Sequence, residues 1–137
     1  MKRTPACHDR LRRLFEEGFG ALDVAEPLKH FSAERPAVEV REILAPRGHE
    51  VAGVLQDGAL LGYVRREDLD EGLLKQHVRP FRERRILDDN APLSAVIRAV
   101  HQAGYCFVRI LGQPAAVVAK PDLEKAPMRM WLFGMIT

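Results

Sequence analysis

Apolar and polar positions along this chain follow two periods, one helical and one of strand type, and the order in which they come is used twice. Over residues 9–19, Leu11, Leu14, Phe15 and Phe19 share one helical face while Arg10, Arg12, Arg13, Glu16 and Glu17 lie elsewhere, which predicts an N-terminal helix. Gly18 and Gly20 weaken it, and Pro27 and Pro36 punctuate an irregular stretch with a short extended piece around Leu22 to Val24. Val38, Val40, Ile43 and Leu44 suit a short helix ended by Pro46 and Gly48. Two apolar runs, Glu50 to Leu55 and Ala59 to Val64, then flank Gln56-Asp57-Gly58. An Asp-Gly turn needs positive φ, which glycine supplies without strain, so these runs predict a β-hairpin. Arg65-Arg66-Glu67-Asp68-Leu69 follows and opens a helix, with acidic residues in the first turn where the helix dipole favours them.

The same order returns in the second half. Asn90-Ala91-Pro92 precedes Leu93, Val96, Ile97 and Val100, an amphipathic helix with Pro92 near its start. Tyr105 to Leu111, the turn Gly112-Gln113 and Pro114 to Ala119 form a second hairpin, and Lys120-Pro121-Asp122-Leu123 starts another helix. Residues 48 to 69 and 102 to 123 are thus two diverged copies of one unit. Asp68 with Asp122, Leu69 with Leu123 and Gly58 with Gly112 all lie 54 apart (122 − 68, 123 − 69, 112 − 58), as do Val54 with Val108 and Val64 with Val118. The preceding helices match at 53, pairing Val40 with Leu93, Ile43 with Val96 and Leu44 with Ile97. A repeat of this size decides the fold.

Composition narrows the class without naming a partner. The 137 residues suit one compact domain or two half-sized units, and 47% hydrophobic with 29% charged residues is the balance of a folded globular protein. A net charge of +2, from 21 basic and 19 acidic residues, does not argue for nucleic acid or membrane as partner. Cys7 and Cys106 form neither a disulfide framework nor a zinc pattern, so a reducing, cytoplasmic location is expected. The N-terminus holds no apolar stretch long enough for a signal peptide or a membrane span. Met128, Met130, Trp131, Leu132, Phe133 and Met135 form an apolar stripe that ends abruptly, as in a piece of a longer protein, and that suits an interface with another chain.

The strings Gly62-Tyr63-Val64-Arg65-Arg66-Glu67-Asp68-Leu69 and Ala116-Val117-Val118-Ala119-Lys120-Pro121-Asp122-Leu123, each behind a helix and a hairpin, resemble the CBS domain family, named after cystathionine β-synthase. The likeness covers residues 22 to 127, and the tail from Asp122 to Gly134 resembles small stand-alone bacterial members. It implies an α+β fold of two tandem CBS-like βαββα repeats packed in pseudo-two-fold symmetry, with an N-terminal helix. The expected division is 1–20 N-terminal helix, 21–76 first repeat, 77–127 second repeat and 128–137 the start of a C-terminal apolar segment. It also implies a homodimer, an unknown client protein, and a regulatory module that senses an adenine-containing nucleotide (AMP, ADP, ATP or S-adenosylmethionine) in a cleft between repeats. No required cofactor is implied. In nucleotide-binding members the Asp at the helix start binds ribose hydroxyls, and a Ser or Thr three residues before it meets phosphate. A carboxylate accepts two hydroxyl hydrogen bonds, and free amides at a helix start favour phosphate.

Asp68 and Asp122 are kept here, while Arg65 and Ala119 stand where the hydroxyl belongs, and Ala116 replaces the glycine of the second string. Arg65, with Arg66, offers a bidentate phosphate contact instead, and Lys120 lies beside the second Asp, so the resemblance makes all five binding candidates, with the first string the stronger site. Asp near a helix start is also an ordinary cap, and arginines at a strand end are usually solvated, so both readings stay open. A structural or protein-interaction module with non-functional clefts is the main alternative. The basic run Lys75 to Arg85, with Phe81 among arginines, offers RNA binding as a second alternative, against a solvated linker. His8, His30, His49, His77 and His101 lack paired ligand spacing, so no metal site is expected. There is no Gly-x-Ser-x-Gly elbow and no glycine-rich phosphate loop, and Cys106 falls in an apolar strand, so no catalytic residue is assigned.

Overall fold

The computed structural model describes residues 20–124. In chain order the elements are α1 (Ala21–Val24), β1 (Glu26–Pro27), β2 (His30–Ser32), α2 (Ala37–Leu44), β3 (Val51–Gln56), β4 (Ala59–Arg65), β5 (Ile86–Asp88), α3 (Leu93–Ala103), β6 (Tyr105–Ile110) and β7 (Gln113–Ala119). They fall into two compact units, residues 27–83 on one side and residues up to 26 together with 84 onward on the other. Each unit holds one copy of the repeat.

In the 27–83 unit the sheet order is β2-β3-β4, with β2 parallel and β4 antiparallel to β3. In the other unit β5 and β7 flank β6 in the same senses, and β1 adds an edge strand beside β7. An edge is where the proline of so short a strand does no damage. The hairpins agree to the residue. Val54 faces Gly62 and Leu55 faces Leu60, leaving Leu61 as a bulge; Val108 faces Ala116 and Arg109 faces Pro114, leaving Ala115 in the same place. Both turns also place two residues at positive φ, Asp57 (52°) with Gly58 (79°) and Leu111 (53°) with Gly112 (84°). The second turn is therefore Leu111-Gly112 rather than Gly112-Gln113, and Gln113 already belongs to β7.

Each copy has a core between its helix and one face of its hairpin. Ala37, Val40 and Leu44 of α2 pack with Ala52, Val54, Val64, Leu69 and Leu74; Leu93, Val96 and Val100 of α3 pack with Cys106, Val108 and Val118. The buried helical positions thus correspond at an offset of 56 (93 − 37, 96 − 40, 100 − 44) and not 53. The two offsets differ by three residues, close to one helical turn, so an amphipathic stripe overlaps itself almost as well at either. The offset of 56 holds as far as the capping glycines Gly48 and Gly104, with a 3-10 turn at Ala45–Arg47 where the second copy continues its α-helix, and the two extra residues of the first copy are His49 and Glu50 before β3. Val38 is 46% exposed and sits outside the core stripe.

Three further expectations change. Leu22 to Val24 are helical, not extended, and Ala21 and Val24 are buried in the cluster of α3. The segment after the first hairpin is a single 3-10 turn, Arg66–Asp68, and Lys120–Glu124 is likewise 3-10. The first turn goes no further because Leu69 leaves the helical region at φ −82°, ψ 110°, which sends its side chain into the core, and Gly72 follows at φ 87°. The predicted N-terminal helix over 9–19 and the stripe at 128–135 lie outside the described residues. No helix of the described residues is long and apolar enough to cross a membrane.

Cys106 takes the place of Ala52 in the second core and is fully buried. Burial first, and the negative charge of Asp122 second, push its thiol up to about 12.

Two tests follow from this packing. Leu111 is 98% exposed in a left-handed conformation, so Leu111→Asn loses no packing and relieves strain; stability should rise by about 1 kcal/mol in urea unfolding, and an unchanged or lower midpoint would count against a strained turn. A folded-state pKa raised above the unfolded one, about 8.5 for a free thiol, stabilises fully below that value and is lost as pH rises toward the folded one. Wild type should therefore lose more stability between pH 7 and pH 10 than Cys106→Val does, and equal losses would remove Cys106 from the account.

Candidate functional site

The 3-10 turn that follows the first hairpin presents Arg65, Arg66 and Asp68 together. Its start is held by the Arg66 amide donating to the Glu50 carbonyl at 2.8 Å, its end by buried Leu69, whose carbonyl accepts from Arg41 Nη1 at 3.3 Å. Each charged side chain meets a counter-charge within the same unit. Arg65 pairs with Glu67, and Arg66 Nη2 lies 3.4 Å from Glu50 Oε1. Asp68 Oδ2 accepts from Arg79 Nε at 3.2 Å and from Arg79 Nη2 at 2.9 Å. These are solvent-facing pairs, each worth roughly 0 to 1 kcal/mol, so a phosphate or a hydroxyl pair can compete for them.

The equivalent turn of the other unit holds Lys120 and Asp122 and is built differently. Asp122 Oδ2 accepts from the Ala119 amide at 2.8 Å, a cap of its own turn. The structure thus brings Arg65, Arg66 and Asp68 together in one unit and Lys120 with Asp122 in the other.

A cleft not foreseen from the sequence lies wholly within the 84–124 part of that second unit. Arg84 and Arg85, just before β5, the last turn of α3 (Ala99, Gln102 and Ala103) and the first residues of β6, Tyr105 and Cys106, enclose about 300 Å³. That is the lower end of the volume that small-molecule sites occupy. Arg85 Nη1 donates to Tyr105 Oη at 2.9 Å, and its guanidinium lies 5.6 Å from the ring centroid. Helix α3 ends here, on Gly104 at φ 86°, and its C-terminal carbonyls, with the Asp122 carboxylate that acts on Cys106, offset part of the two guanidinium charges. The alanines keep the wall low, and the protonated Cys106 thiol adds no charge. Sequence reasoning placed Arg84 and Arg85 in the basic linker. Their signal was position, directly before a strand that pairs with β6, and only the β5–β6 register makes that visible.

The basic run 75–85 is not a continuous cationic face. Lys75 Nζ donates to Glu34 Oε1 at 3.1 Å, His77 Nε2 is 2.8 Å from the Glu71 carbonyl oxygen, Arg79 is on Asp68, and Phe81 packs on Tyr63 with ring centroids 5.5 Å apart. Among the described residues no group of three His, Cys, Asp or Glu side chains is placed to hold a metal ion.

No family model and no curated protein matches the sequence. Solved structures do match. CbpB in complex with c-di-AMP aligns with 96% of this chain and 97% of its own at TM-score 0.65 and 12% identity. CBSX2 in complex with AMP aligns over 82% and 98%, at TM-score 0.65 and 15% identity. A CBS domain-containing protein of unknown function from Bacillus anthracis aligns over 89% and 97%, at TM-score 0.64 and 11% identity. With the two parallel–antiparallel sheets, their shared bulge and the repeated turns, these matches show that the chain has the fold of a tandem pair of CBS domains.

Proposed function

We propose that the chain is a regulatory module, not a catalyst, that senses an adenine-containing nucleotide, with AMP, ADP, ATP and S-adenosylmethionine as candidates. The observation that carries this reading is the cleft of Arg84, Arg85 and Tyr105, which joins cationic charge to flat faces. A planar guanidinium and an aromatic ring suit a purine, and a second guanidinium suits its phosphate. Two structures of similar fold were solved with c-di-AMP and with AMP, which supports ligands of this class.

The turn residues fit the same chemistry. Asp68 and Asp122 are carboxylates able to accept ribose hydroxyls, while Arg65, Arg66 and Lys120 carry charge for phosphate. Regulation requires that the nucleotide favour one conformation of the module over another, since equal affinity for both shifts nothing.

Thermal melting of wild type, Arg85→Ala and Asp68→Ala with each of the four nucleotides tests the reading. At a hundred times its dissociation constant a ligand should stabilise wild type by about 2.7 kcal/mol, a rise of several degrees. The shift should shrink in both variants. A midpoint that no nucleotide moves would replace sensing by the reading of a structural or protein-interaction module.

A further inference from the structure

Arg79 holds Asp68 with its side chain and β4 with its backbone. Both guanidinium contacts fall on one carboxylate oxygen, Oδ2. The Tyr63 amide donates to the Arg79 carbonyl at 2.9 Å, and the Arg79 amide donates to the Tyr63 carbonyl at 2.7 Å, an isolated antiparallel bridge beside β4. The approach is close enough to need a bare backbone, because a Cβ on Gly62 would overlap the Arg79 carbonyl and come within 2.9 Å of Val78 Cγ2. Phe81 on Tyr63 completes the docking of residues 78–81.

We infer that Arg79 is a built-in competitor for Asp68, so that a nucleotide taking the Asp68 carboxylate releases residues 78–81 from the edge of β4. The inference rests on the reading of Asp68 as a nucleotide contact and adds its regulation. A guanidinium outbids neutral hydroxyls for a carboxylate, so Arg79 lowers the affinity for nucleotide. The pair is nonetheless displaceable, since the side chains are 46% and 32% exposed, while two backbone hydrogen bonds, Phe81 on Tyr63 and Val78 against the core are what its loss must overcome. Residues 78–81 belong to the one stretch of chain that leads from the 27–83 unit into residue 84, so their release loosens that connection. In the second copy Asp122 Oδ2 accepts from the Ala119 amide of its own turn.

Calorimetric titration of the full chain with AMP, on wild type, Arg79→Ala, Arg79→Lys and Asp68→Ala, tests the gate, with hydrogen exchange of the Tyr63 and Arg79 amides in wild type as a second readout. Arg79→Ala should bind AMP about fivefold tighter or more, in the range of ordinary coupling between sites. Arg79→Lys should fall between it and wild type, and saturating AMP should speed exchange at both amides. Equal AMP affinity in wild type and Arg79→Ala, or exchange at those amides that AMP leaves unchanged or slows, overturns the gate while nucleotide sensing stands. AMP binding that Asp68→Ala leaves intact overturns the gate through its premise. Absence of AMP binding in both wild type and Arg79→Ala overturns gate and AMP sensing together.

Discussion

Each central strand, β3 in one unit and β6 in the other, is fixed by a parallel partner on one side and an antiparallel one on the other. Everything else takes its place from that double pairing. A slip of one residue would turn every core side chain to the opposite face, so the stripe of Ala52, Val54 and Val64 under α2, like that of Cys106, Val108 and Val118 under α3, holds the register. The two-residue turn sets the start of the ladder, and the bulge at Leu61 or Ala115 re-aims the rest of β4 or β7. The short turn carrying the candidate ligand residues is then delivered to the same end of each hairpin by the same count of residues.

Within that shared frame the copies have diverged in what their polar atoms do. Asp122 Oδ2 accepts from the backbone of its own turn, whereas Asp68 Oδ2 accepts from an arginine of the segment that follows. Gly62 admits that segment beside the strand, and Ala116 occupies the equivalent position in the other copy. The strand with a side chain at that point, β7, is flanked instead by the short strand β1.

The sequence showed the hairpins because their signals are local: an Asp-Gly turn, two apolar runs and a conserved spacing of 54 between copies depend on nothing distant. The helices were legible as stripes but not in register, since a stripe repeats every turn and Val40 pairs equally well with Leu93 or Val96. The helix expected after Asp68 failed on a tertiary demand, the burial of Leu69. Arg65, Arg66 and Asp68 were named as candidates through the resemblance of their string to CBS domains, while the partnership of Asp68 with Arg79 and the cleft of Arg85 and Tyr105 were not visible. Those contacts span 11 and 20 residues, and no periodicity carries them.

Residues 20–26 share a unit with residues that come some sixty positions later, and the Ala21 amide donates to the Ala91 carbonyl at 3.0 Å. As the chain leaves the ribosome, the 27–83 unit therefore has all its strands before its neighbour does. Ala21 and Val24 must wait, apolar and uncovered, until α3 and β6 are made. A unit that closes over so long an intervening segment has high contact order and forms slowly, after the contiguous one. The order of synthesis thus lets the first repeat fold early and leaves the second to close last.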